Sequence, residues 1–78
     1  MTTESAPDWV LPRRQRIGRR LCALREDRGL TQIQLGERAG MDHKTVHRIE
    51  YAITDPSLSM LLRLAAALDV EVAELLVA

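Results

Sequence analysis

Thr31-Gln-Ile-Gln-Leu-Gly-Glu-Arg-Ala-Gly-Met-Asp-His-Lys-Thr-Val-His-Arg-Ile-Glu50 reads as two short helices joined by a three-residue turn. Thr31 and Gln34 stand at capping-box spacing, and Leu30 with Leu35 at the spacing of a hydrophobic staple, so a helix starts near Gln32. Gly40 suits the left-handed position that ends it. Asp42 can cap the next helix, with Met41 and Val46 again at staple spacing. Val46 and Ile49 then turn inward, and His43, Lys44, Thr45, His47 and Arg48 remain outside. This is the layout of a helix-turn-helix unit whose second helix enters the major groove of DNA.

The flanking sequence extends the same pattern. Ile17, Leu21 and Leu24 recur at i, i+4, i+7 in a helix after Pro12 that Gly29 ends, and Asp55-Pro56-Ser57 opens a fourth helix. There Leu58, Leu61, Leu62, Ala65 and Leu68 form the expected apolar face. A short last helix follows the Asp69-Val70-Glu71 break. The expected fold is all-α, with five helices at about 13–28, 32–39, 43–51, 58–68 and 72–76. Residues 1–12, polar and broken by proline, read as a flexible arm ahead of a domain at 13–78.

Composition narrows the function classes. A chain of 78 residues makes one domain with a core of about fifteen to twenty side chains and no room for a deep enzymatic cleft. Phe is absent and the apolar residues are mainly Leu, Ala, Val and Ile, which suits a small helical bundle. No apolar run is long enough for a membrane span and the start lacks the pattern of a secretory signal, so no membrane partner and a cytoplasmic location are expected. The single Cys22 has no partner for an internal disulfide or a metal pair and is assigned to packing along the first helix.

The formal net charge is zero, but it is unevenly distributed. Residues 1–48 hold ten Arg and Lys against six Asp and Glu, a net +4, and residues 49–78 carry a net −4. One end can face phosphates while the other faces solvent or a partner. His43 and His47, at i, i+4, could pinch a metal ion, but no third ligand stands at suitable spacing and no metal or other cofactor is expected. In acid their protonation would add positive charge to the same face. No nucleophile has a supporting base, no glycine loop is built for phosphate, and no small-molecule ligand is expected; the chain does not read as an enzyme.

Six fragments in order resemble the Cro/repressor-type helix-turn-helix domains, also called the xenobiotic-response-element family. They are Arg16-Ile-Gly-Arg-Arg-Leu21, Leu24-Arg-Glu-Asp-Arg-Gly-Leu-Thr-Gln32, Leu35-Gly-Glu-Arg-Ala-Gly40, Thr45-Val-His-Arg-Ile-Glu50, Asp55-Pro-Ser-Leu58 and Leu61-Leu-Arg-Leu-Ala-Ala-Ala-Leu68. The resemblance covers residues 13–77 and implies a compact five-helix repressor-like bundle. It carries base contact most directly onto His43, Lys44 and Arg48, while Thr45 and His47 stand where a base edge or a phosphate is in reach. Gln32 resembles a family glutamine that bonds a phosphate and braces the recognition helix, and Arg25 with Glu50 resembles a family ion pair near phosphate. Helix N-termini at Gln32 and Ser57 favour anions, so Arg25, Gln32 and Ser57 are the expected phosphate contacts.

A lone domain of this kind reads too few base pairs to find one site, so a homodimer on an inverted repeat is expected, regulating transcription as a repressor or autoregulator. Val70, Val72, Leu75, Leu76 and Val77 are the expected dimer surface. The chain departs from the family pattern at Ala52, where glycine is usual, in the Ile53-Thr54-Asp55 loop, where basic residues are usual, and at Asp69 and Glu71, which would fray or reorient the last helix. Tyr51 and Ile53 read either as a local lid over the core or as a partner surface. Together with Trp9 in the arm they support an alternative function, a protein-interaction module on the same fold, antitoxin-like or a regulatory adaptor.

Overall fold

The computed structural model describes residues 7–77. Five helices follow in order: α1 (Val10–Asp27), α2 (Gln32–Ala39), α3 (His43–Glu50), α4 (Leu58–Ala67) and α5 (Val72–Leu76). Among the described residues there is no strand, and no helix is long and apolar enough to cross a membrane. The start of the expected arm, residues 1–6, lies outside the described residues.

Local signals explain most of the boundaries. The Thr31 hydroxyl accepts the Gln34 backbone N–H at 3.0 Å, and the Gln34 side chain accepts the Thr31 N–H at 2.9 Å, closing the capping box of α2. Gly40 ends α2 in the left-handed region at φ 70°. Ser57 caps α4 by accepting the Met60 N–H at 3.1 Å.

The α1 boundary differs from its expectation by one turn. The helix begins at Val10, whose N–H reaches the Pro7 carbonyl at 2.9 Å, so Val10, Leu11 and Pro12 belong to α1 and not to an arm. Pro12 falls in the first turn, where no backbone N–H is needed for the ladder, and so does not block an earlier start.

The core lies where α1 packs on α3 and α5, α2 on α3 and α4, and α4 on α5. Leu21, Leu35, Val46, Leu64, Leu68 and Leu75 are its largest fully buried side chains. Each contributes about 1.5–3 kcal/mol by leaving water. Two expectations are corrected here. In α4 the buried stripe is Leu64, Ala65 and Leu68 with Leu61 half-buried, whereas Leu58 and Leu62 face outward. This helix is apolar nearly all round, so periodicity alone allowed two faces, and docking on α2 and α5 selected one. In α5, Leu75 is fully buried in its own core and is not available to a partner, while Val70 and Val72 are half-buried against that core.

The last helix is not frayed. The Glu71 N–H donates to Glu74 Oε2 at 3.2 Å, and α4 ends with Val70 N–H on Ala65 O at 3.0 Å and Asp69 N–H on Ala66 O at 3.1 Å. This turn forces Asp69 to φ 57°, a conformation that costs an L-residue more than glycine, and leaves an exposed carboxylate at the negative end of α4. Asp69→Gly is therefore expected to raise stability by about 0.5–1 kcal/mol, read as a thermal midpoint a few degrees higher by circular dichroism. An unchanged or lower midpoint would show that the turn carries no strain.

Candidate nucleic-acid interface

The outward side of α3 is set by its cap and its inward residues. The Asp42 carboxylate accepts the Lys44 backbone N–H at 2.7 Å, which starts the helix, and burial of Val46 and Ile49 fixes its rotation. His43, Lys44, His47 and Arg48 are consequently exposed, and Thr45 is half-buried beside them. The structure thus brings together the five residues expected at base edges. The Lys44 N–H, helped by the charges of His43, Lys44 and Arg48, holds the Asp42 carboxyl below its ordinary value of 3.8. His43 Nδ1 lies 3.4 Å from the same carboxylate.

The far end of α3 is anchored by a buried charge. Glu50 accepts from Arg25 Nε at 2.6 Å, Arg25 NH2 at 3.1 Å and Gln32 Nε2 at 3.0 Å, with its side chain 1% exposed. Arg25 also donates NH1 to the Leu30 carbonyl at 2.8 Å and NH2 to Cys22 Sγ at 3.5 Å. Arg25, expected near phosphate, has a side chain 12% exposed with its guanidinium paired to Glu50. The Gln32 amide is likewise committed to Glu50, with His47 Nδ1 at 3.5 Å. α2 also offers backbone to an anion: the N–H groups of Gln32 and Ile33 have no intrahelical acceptor. Ser57 sits at the equivalent place in α4, where the Leu58 and Ser59 N–H groups are free of the helix ladder.

Gly18 lets α1 approach this end of α3, since a Cβ there would run into the carbonyls of Ile49 and Glu50. After α3 the chain turns through Ala52 at φ 57°, the left-handed conformation for which glycine is the cheaper residue, and Arg14 NH2 donates to the Ala52 carbonyl at 2.7 Å. Tyr51 is exposed and tilted against the His47 ring at a centroid distance of 4.6 Å. Ile53 is exposed as well, so neither forms a lid over the core.

Several arginines have tasks the sequence did not reveal. Arg63 donates to the Ala39 and Gly40 carbonyls, Arg20 to the Glu74 carbonyl at 3.0 Å, and Arg14 to Ala52, so each satisfies backbone at the end of a helix. A groove of about 310 Å³ runs between α1 and the end of α3, lined by Gln15, Arg19, Cys22, Glu50 and Tyr51. The i, i+4, i+7 spacing of Gln15, Arg19 and Cys22 was the signal that these share one helix face. Burial, with the Glu50 carboxylate, pushes the Cys22 thiol up, which agrees with a packing role. Among the described residues no three His, Cys, Asp or Glu side chains gather as a metal set.

A family model described as Helix-turn-helix matches residues 23–75. The chain is 41% identical over 56 residues to the immunity repressor protein of Bacillus phage phi105, a match that covers 72% of this chain and 39% of the phage protein. It thus spans about two fifths of that relative's length. Among solved structures it is similar to the restriction-modification controller protein C.AhdI from Aeromonas hydrophila, with TM-score 0.77 and 39% identity, covering 78% of this chain and 92% of the controller. It is also similar to SinR, the master regulator for biofilm formation, solved in complex with DNA, with TM-score 0.74 and 35% identity over 78% of this chain and 98% of SinR.

The lowered Asp42 value has a consequence in acid. A carboxylate whose folded pKa is depressed contributes stability that is fully present above its unfolded value and lost as pH falls through the folded value. Urea midpoints measured stepwise below the ordinary 3.8 should therefore fall more for the parent protein than for Asp42→Asn, which caps without titrating. Parallel curves for the two would show that the carboxylate does not hold α3 in this way.

Proposed function

The chain belongs to the helix-turn-helix family, and on that premise we propose that it is a sequence-specific DNA-binding transcriptional regulator, a repressor or autoregulator of phage or bacterial type working in the cytoplasm. The observation that carries this reading is α3 itself. Its N-terminal half and outer face present His43, Lys44, His47 and Arg48 to solvent, while its far end is locked to α1 and α2 through Glu50. Lys44 and Arg48 suit guanine O6 and N7, Thr45 a base edge or a thymine methyl, and the free N–H groups opening α2 and α4 suit phosphate. The similarity to a solved regulator–DNA complex supports the same partner. No catalytic step enters this reading.

Replacing Lys44 and Arg48 with Ala should abolish selective binding to a duplex recovered by the parent protein from a random-sequence pool. Each single change should cost about 1–3 kcal/mol and relax the base preference at one position. Fluorescence anisotropy against a scrambled duplex reads both effects. Undiminished selectivity in the double variant would sink the proposal. The alternative, a protein-interaction module, would instead use Trp9, Tyr51 and Ile53, which are exposed on the surface, and would survive the same double change.

We infer a homodimer on an inverted repeat, with the recognition helices about 34 Å apart. With Leu75 inside, the apolar residues left for such an interface are Leu76 and Val77 of the C-terminal end, joined by Leu62 on the outward stripe of α4, with half-buried Val70 and Val72 as flanking support. Leu62→Glu combined with Leu76→Glu should leave the helical spectrum intact and give a monomer by analytical ultracentrifugation. A dimer that persists would place the interface elsewhere.

A further inference from the structure

We propose that the groove between α1 and the end of α3 seats a DNA phosphate, with Arg19 as its cation, so that the binding surface continues from the recognition helix onto α1. The proposal rests on the DNA-binding reading above and adds a contact that the helix-turn-helix unit alone does not contain.

Adjacency supports it first. The Gln32 amide, at the start of α2, lies 3.5 Å from His47; His47 is tilted on Tyr51 at 4.6 Å; and Tyr51 lines the groove together with Arg19. The surface is therefore continuous from the free N–H groups of α2, past the flank of α3, to the outer face of α1. A nucleic-acid backbone lying along the first two would pass the third.

Availability supports it second. Arg14, Arg20 and Arg25 of α1 are spent on the Ala52 carbonyl, the Glu74 carbonyl and Glu50. Arg19 is exposed, and among the described residues it makes no hydrogen bond or ion pair. A fixed groove with an uncommitted guanidinium suits a phosphate, which such a group can hold through two parallel N–H bonds. Gln15 and Tyr51 line the same groove, and both side chains carry hydrogen-bond donors. The one acid in the lining, Glu50, is already matched by Arg25, so the groove keeps the positive charge of Arg19. Glu26, one turn beyond Cys22 on α1, is solvent-exposed.

The test uses a duplex of about 30 base pairs recovered by the parent protein from a random-sequence pool, long enough for two half-sites. Binding is followed by anisotropy over a salt series. Arg19→Ala should bind about tenfold more weakly, on the selected and scrambled duplexes alike, and should lower the slope of log K against log salt by about 0.9 per protomer. Arg19→Lys should recover the slope. Arg28→Ala is the control, because it removes the same charge from α1 beside a different cleft, lined by Arg20, Asp27 and Glu74. If Arg19→Ala has the salt slope of Arg28→Ala while Lys44→Ala with Arg48→Ala still abolishes selectivity, the phosphate seat is wrong and the DNA-binding reading stands. If the parent protein recovers no duplex at all, the DNA-binding reading falls, and the seat with it.

Discussion

The buried Glu50 carboxylate and the three donors that surround it hold the recognition helix to the bundle. Its oxygens are met by two nitrogens of Arg25 from α1 and by the Gln32 amide from the first turn of α2. One acid thus ties three helices together at the end of α3. Removing one partner of such a pair costs about 3–5 kcal/mol, yet the intact pair adds little over a well-packed apolar substitute, because desolvation consumes most of the Coulomb gain. What it supplies is direction. Burial of Val46 and Ile49 sets the rotation of α3, and the bidentate geometry of a guanidinium sets where its end lies.

The same constraint decides how a chain of zero formal charge presents a basic face. Four arginines are spent inside the bundle. Arg14, Arg20 and Arg63 reach the carbonyls at or near helix ends, where partial negative charge gathers, and Arg25 neutralises Glu50. These hold the bundle together and contribute little field outside it. Lys44, Arg48 and Arg19 have no such internal duty and are exposed. The basic excess of residues 1–48 is therefore smaller at the surface than the count suggests, and its exposed part is shared between α1 and α3.

Much of the fold was legible residue by residue. The bounds of α2 and α5 agree with the reading, because Thr31 with Gln34, Gly40, and the Asp69-Val70-Glu71 break act within a few residues of themselves. The outward set on α3 was equally plain: Val46 and Ile49 are its only strongly apolar residues, so there was one way to turn it. The buried face of α4 was not legible. Leu58, Leu61, Leu62, Leu64 and Leu68 are equally apolar, and the choice that left Leu58 and Leu62 in solvent was made by α2 and α5.

The caps, the turn and the polar side of α3 are written locally in the chain, since each depends on hydrogen bonds or apolar contrast spanning fewer than about five residues. Helix docking alone sets which arginines point inward, that Leu75 belongs to its own core, and that Gln15, Arg19 and Tyr51 meet across a groove. An arginine on an exposed helix and one aimed at a carbonyl many residues away are written alike in the chain. Their difference arises when helices dock, because a long charged side chain takes its role from the acceptor that packing brings within reach.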